Sequence, residues 1–199
     1  MMLIEETPLP DAALPVTALK AHLRLGSGFG PDDVQDVVLV SFLRAAIAAV
    51  EARTSKALIV RDFSLSVTEW HVGDRQALPV APVRDVAEVA QVAADGTRTI
   101  VDAQTYWLER DAQRPRLRSV GASLPAIQRG GSAEIRFEAG FADDWDSLPD
   151  DLCQAVLMLA AHYYEYRHDT GLSDGCMPFG VSSLIERYKL MRLGIGASK

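Results

Sequence analysis

Cysteine is nearly absent from this 199-residue sequence. Cys153 and Cys176 form no Cys-x-x-Cys pair, which excludes a cysteine-built zinc cluster and a disulfide framework; both are expected as ordinary buried thiols. Basic charge is also in short supply. Twenty Lys and Arg stand against 27 Asp and Glu, a formal net charge of −7, whereas a chain that neutralises many phosphates carries the opposite balance. Long hydrophobic runs are missing too. The best stretch, Val34 to Val50, is interrupted by Asp36 and Arg44 and falls short of the roughly 20 apolar residues of a membrane span, so no membrane partner is expected. The first ten residues carry Glu5, Glu6 and proline. They lack the basic start and apolar stretch of a secretory leader, and the chain is expected to stay in the compartment where it is made.

Motifs for catalysis are equally scarce. No Gly-x-Ser-x-Gly occurs, and Cys153 sits within an apolar helical stripe, where a thiol is inert. Gly26, Gly28 and Gly30 follow a helix rather than a strand, so they fail as a dinucleotide fingerprint and read as a connector. His162, Glu165 and His168 have the Glu-x-x-His spacing of di-iron bundles. No second such motif accompanies them, and Tyr163, Tyr164 and Tyr166 make the segment an aromatic packing face. Asp143, Asp144 and Asp146 lack the spacing and terminal Glu of a calcium loop. Arg110, Arg114, Arg116 and Arg118 suggest a phosphate-binding patch, but Glu109 and Asp111 lie beside them. The expectation is therefore no catalytic residue, no metal and no cofactor. The alternatives are a small metal-dependent enzyme using His162, Glu165 and His168, or a nucleic-acid-binding β module using Arg110 to Arg118.

What is present is a core: 48% of the residues are hydrophobic, enough for a substantial domain. Val16, Leu19 and Leu23 predict a short amphipathic helix over Thr17 to Leu25. A long helix follows from about Pro31 to Thr54, with proline and acids suited to its first turn. From Arg61 the apolar period becomes two, through Phe63, Leu65 and Val67, which predicts a strand. The prolines at 79 and 82 predict an extended segment unsuited to a central strand. Asp95-Gly96 predicts a hairpin turn between Val86–Ala93 and Thr97–Val101. Tyr106–Arg110, Arg116–Val120 and Ala133–Ala139 are further strand candidates. Helical spacing returns after Ser147, read with Asp150 as a capping box, and runs through Leu152, Val156, Leu159 and Tyr163 to about Arg167. A last helix is expected over Ser182 to Leu193.

This order predicts an α+β fold: a helical bundle of N-terminal and C-terminal helices with a small antiparallel β module inserted. The expected divisions are residues 1–57 for the N-terminal helices, 58–140 for the β module, and 141–199 for the C-terminal helices and tail.

Two surfaces stand out. The long helix carries Val34, Val38, Phe42, Ala45 and Ala49 on one stripe, and Leu39, Leu43, Ile47 and Val50 on another. That exceeds what one buried face needs. The surplus at Leu39, Leu43 and Ile47 either packs under the C-terminal helices or forms a subunit interface, and the interface is the expectation carried forward. The second surface is the basic, aromatic end, Arg187, Tyr188, Lys189 and Arg192, which the residues alone favour as an ordinary frayed surface helix over a docking tail.

Several segments carry a resemblance across nearly the whole chain. They are Thr17-Ala-Leu-Lys-Ala-His-Leu-Arg-Leu25, Ala48-Ala-Val-Glu-Ala-Arg-Thr-Ser-Lys-Ala-Leu58, Leu78-Pro-Val-Ala-Pro-Val83, Gly140, Ala160-Ala-His-Tyr-Tyr-Glu-Tyr-Arg167 and Pro178-Phe-Gly-Val-Ser-Ser-Leu184. In order and spacing they resemble the head-tail connector (adaptor) family of tailed phages, especially the version in gene transfer agents. The resemblance implies a non-enzymatic virion protein of the neck, made in the bacterial cytoplasm. It implies a dodecameric ring between the portal protein and a stopper or tail protein, with DNA passing through the channel without specific binding. It also implies that the C-terminal helix and tail, from about Val181 to Lys199, engage the portal.

Overall fold

The computed structural model describes residues 1–25, 33–167 and 177–189. Its elements run β1 (Met2–Glu5), α1 (Val16–His22), α2 (Asp33–Thr54), β2 (Arg61–Val67), β3 (Arg75–Ala77), β4 (Val83–Val92), β5 (Arg98–Ile100), β6 (Tyr106–Glu109), β7 (Arg116–Ser119), β8 (Ser132–Ala139), α3 (Asp150–Glu165) and α4 (Phe179–Ile185). Helices and antiparallel sheets together make an α+β protein, as the change of period along the chain predicts. The connector Gly26, Gly28 and Gly30, together with His168 and Cys176, lies outside the described residues.

The strands form two sheets. One has the order β1-β2-β8-β4-β5 and the other β3-β7-β6, with every pairing antiparallel. Alternation explains the first sheet: Phe63, Leu65 and Val67 of β2 lie opposite Phe137, Ile135 and Ala133 of β8. These inward residues make a core with Val89, Leu117 and Tyr106. Phe63 and Phe137 stack with centroids 5.7 Å apart. Gly96, at φ 86°, makes the Asp-Gly turn between β4 and β5 that the sequence predicts.

A second core lies among the helices. Leu39, Leu43, Ile47 and Val50 of α2 cluster with Leu152, Val156 and Leu159 of α3 and with Val181 and Ile185 of α4. The i, i+4 spacing on α2 places its large side chains on one stripe, and burying each leucine stabilises the fold by about 2 kcal/mol. Leu39, Leu43 and Ile47 are thus interior residues, and their expected role as a subunit interface is corrected. Leu39 and Leu43 have no accessible area left in the subunit and Ile47 only 4%, so they have next to none to bury against a neighbour.

Three further departures are local. The five-stranded sheet takes β1 from residues 2–5, so the sheet is not confined to residues 58–140 and the first 57 residues are not helical throughout. Ser147 does not cap α3; its N–H instead donates to the Asp144 carboxylate at 2.9 Å, and Pro149 occupies the cap position with no side-chain bond. The last helix starts earlier than expected, at Phe179, and gives way to a 3-10 turn over Glu186–Tyr188.

The two cores are joined by a seam. Ser55, at φ 56°, ends α2, and Ala57 and Ala81 are linked back to it through backbone hydrogen bonds. Ile59 bridges Ala142. Gly140 sits in the seam at φ 153°, and a Cβ there would lie 2.5 Å from the Val60 backbone. Arg84 ties β4 to the same strap, with Nε donating to the Gly140 carbonyl at 3.1 Å and Nη2 to the Phe141 carbonyl at 3.0 Å.

Candidate interaction surfaces

The residues weighed for chemistry are dispersed or occupied. His162 lies on α3 with its ring 4.7 Å from that of Tyr166, and Glu165 lines the same shallow cavity. Among the described residues no three His, Cys, Asp or Glu side chains gather as a metal group. Burial, reinforced by Asp150, Asp146 and Asp151, pushes the Cys153 thiol up to about 11, which leaves it protonated and unreactive at neutral pH. Arg116 and Arg118 face acids: Arg116 lies 3.6 Å from Glu109, and Arg118 lies 3.2 Å from Asp74 and 3.3 Å from Glu109. Of the acidic loop, Asp143 pairs with Arg84 and Asp144 accepts from Ser147.

The C-terminal basic segment divides into parts. Tyr188 is only 8% exposed and meets Phe141 edge-on, with centroids 5.5 Å apart. Its hydroxyl donates to Asp151 at 2.7 Å, and Arg187 pairs with Asp151 at 2.8 Å. Tyr188 is therefore an anchor inside the helical core and not a residue of a free tail, which corrects its expected role. An aromatic ring with a polar tip buries well when the tip has a partner, and the acids at the first turn of α3 supply one. Arg187 stays largely in solvent, Lys189 pairs with Glu186 at 2.5 Å, and Arg192 lies outside the described residues.

Two surfaces of another kind emerge. The outward face of α2 carries Val37, Ser41, Ala45, Ala48 and Ala52, all exposed, and Val37 is 69% exposed. Its one charged residue, Arg44, is drawn down onto Asp11 at 2.5 Å and the Leu9 carbonyl at 2.8 Å. A solvent-facing helix normally carries charge there. This face runs into a cavity of about 350 Å³ between α2 and the sheet, bordered by Ala48, Ala52, Glu5, Glu51 and Arg61. Arg61 is buried and holds Glu51 at 2.6 Å and Glu5 at 2.9 Å. Its Nε has no hydrogen-bond partner among the described residues. Burial raises the Glu51 carboxyl above its ordinary range, against the pull of Arg61 and the Leu58 N–H. Beyond the cavity lies β1, exposed along its whole length. On α4, Phe179 stands 89% exposed.

Such surfaces suit a protein that fits against others, and comparison with solved structures says which. The chain is 51% identical to a chain in the neck of an empty gene transfer agent (GTA) particle computed with C6 symmetry, over 100% of both chains, with a TM-score of 0.89. It is 48% identical to a chain in the neck of a native GTA particle computed with C12 symmetry, again over 100% of both, with a TM-score of 0.83. The chain belongs to the gene transfer agent neck protein family. A chain from the virion of a native GTA particle is 51% identical over 98% of this chain and 99% of that one, with a TM-score of 0.85. No protein-family model matches the chain, and no curated protein does.

Of the two apolar stripes on α2, Leu39, Leu43, Ile47 and Val50 form the core and Phe42 and Ala49 of the other pack at its margin; the exposed face, Val37, Ser41, Ala45, Ala48 and Ala52, is a third one made mostly of small residues. The Glu5–Arg61–Glu51 chain had no sequence signal, since its three members come from separate elements.

Proposed function

We propose that this neck protein is the adaptor between portal and tail: a non-enzymatic subunit whose copies form a ring, expected to be dodecameric, that extends the DNA exit channel. The observation that carries the proposal is the full-length likeness, at 48–51% identity, to chains of GTA particles, two of them necks computed with C6 and C12 symmetry. Portal on one side and a stopper or tail protein on the other are the proposed partners, met during assembly in the bacterial cytoplasm. The helices make the ring in this reading, and residues 58–140 are an elaboration inserted between them. The segment beyond Lys189, with Arg192 and the solvent-facing Arg187, engages the portal, and many weak contacts around a ring add to a firm attachment. A net charge of −7 suits a conduit, because an acidic wall repels phosphates and lets DNA slide without binding.

Deleting the gene tests this. Filled heads and separate tails that never join are expected, and complete particles with normal DNA transfer would overturn the proposal.

A further inference from the structure

The subunits of a cyclic ring meet head to tail, so each needs two different surfaces. The helical layer has such a pair. The α3 helix lies between α2 and α4 and packs on both. On the side of α3 toward α2, Tyr164 meets Phe42 at 6.2 Å and accepts from Gln35 at 3.3 Å. On the side toward α4, Met158 closes on Gly180. At 100° per residue, 158 and 164 lie about 120° apart around a helix, so α2 and α4 pack on different sides of α3.

Each flank presents what the other lacks. On α2 the outward residues Ser41, Ala45, Ala48 and Ala52 are small and Arg44 is drawn aside onto Asp11, which leaves a shallow surface beside the cavity at Ala48, Ala52 and Arg61. On α4, Phe179 projects almost wholly into solvent. An aromatic ring left in water forfeits its burial, and small residues let a neighbour approach closely enough to recover it. A two-fold contact of α2 with α2 would close a dimer and stop there, whereas shallow surface against knob propagates around a ring.

We propose that copies of this chain pack with Phe179 of one seated on the Ala45–Ala48–Ala52 face of α2 in the next. The proposal rests on the ring reading above and adds the contact by which the ring closes. The surface continues past the cavity to the exposed strand β1, so the Met2–Glu5 edge borders the same contact.

Paired cysteines test it. In a background with Cys153→Ser and Cys176→Ser, Ala48→Cys and Ser183→Cys, the latter exposed one turn along α4 from the retained Phe179, are introduced together and singly, particles are purified, and mild oxidation is followed by non-reducing electrophoresis. The double variant is expected to give a ladder of covalent multimers, and neither single variant is. Necks that hold the doubly substituted chain in wild-type amount yet give no ladder overturn the contact and leave the ring standing. A single copy of the wild-type chain per neck overturns the ring and the contact together. As a second measurement, Phe179→Ala should leave the thermal midpoint of the free subunit unchanged while lowering its incorporation into particles at least tenfold. Unchanged incorporation overturns the contact.

Discussion

Tyr188 donates its hydroxyl proton to Asp151 at 2.7 Å, and this bond ties the turn after α4 to the first turn of α3. The ring lies against Phe141 at the seam between the two cores, and Ile185, one turn earlier, is fully buried. The helical core therefore extends through residue 188.

Truncation experiments should follow that boundary. Ending the chain after Ser183 removes Ile185 and Tyr188 from the core and should unfold the helical part. Ending it after Lys189 should leave the unfolding midpoint near wild type while abolishing attachment to the portal. Tyr188→Phe keeps the ring and loses the bond to a carboxylate, an expected cost of about 1–2 kcal/mol in urea unfolding of the purified subunit.

Leu43→Asp should act on the subunit itself before any assembly step. Leu43 has no exposed surface, so the substitution removes packing and strands a carboxylate in an apolar core, on the order of 4 kcal/mol or more. Circular dichroism of the isolated variant should report lost helix. A variant with a native melting curve that fails only in ring formation would contradict the interior placement.

Gly140→Ala should be one of the costliest small substitutions in the chain. The new methyl group meets the Val60 backbone at 2.5 Å in a conformation with φ of 153°, and neither neighbour is a flexible side-chain end. A loss of about 2–3 kcal/mol is expected, read as a lowered unfolding midpoint. Gly73→Ala, where a Cβ meets nothing within 4 Å, is the matched control.

Glu51 sets an expected pH trend. Burial raises its carboxyl above the ordinary 4.5, so the native state holds that proton more tightly than the unfolded chain. Its contribution to stability is then greatest below the ordinary value and falls as pH rises through the raised one. Glu51→Gln removes that fall. Relative to wild type, the variant should gain stability across this window, whatever offset the loss of the Arg61 ion pair imposes. Urea midpoints of both proteins measured from pH 4.5 upward check the sign; parallel curves would show that Glu51 titrates normally.

Much of this fold could be read from periodicity. The helices α2 and α3 and the strands β2 and β8 follow apolar spacings that hold over seven or more residues, long enough for a period of 3.6 to separate from one of 2; β4, whose valines stand three apart across two register shifts, was legible from its Asp-Gly turn instead. The missed elements are short. Met2–Glu5 becomes a strand because β2 pairs with it from Ser66 to Phe63, and Arg75–Ala77 because β7 does; neither has a period of its own. The Ser147 cap failed because α3 begins at Asp150 with Pro149 at the cap position, and the Ser147 N–H turns back to Asp144. The interaction surfaces were half legible. Apolar excess on α2 was visible, but which stripe faces inward depends on α3 arriving more than a hundred residues later, a tertiary fact.

The division into two cores has a bearing on how the chain is made. The sheet core draws on residues 57–139 without interruption, while the helical core needs residues 9–59 and 142–188. On the ribosome, the leucine stripe of α2 emerges early and has no partner until α3 leaves the exit tunnel, several seconds later at ordinary elongation rates of about 5–20 residues per second. In that interval the nascent chain offers a bare greasy helix to whatever is nearby. How long that helix stays uncovered, as well as the strength of the finished subunit, then bears on how much of it survives to reach a particle.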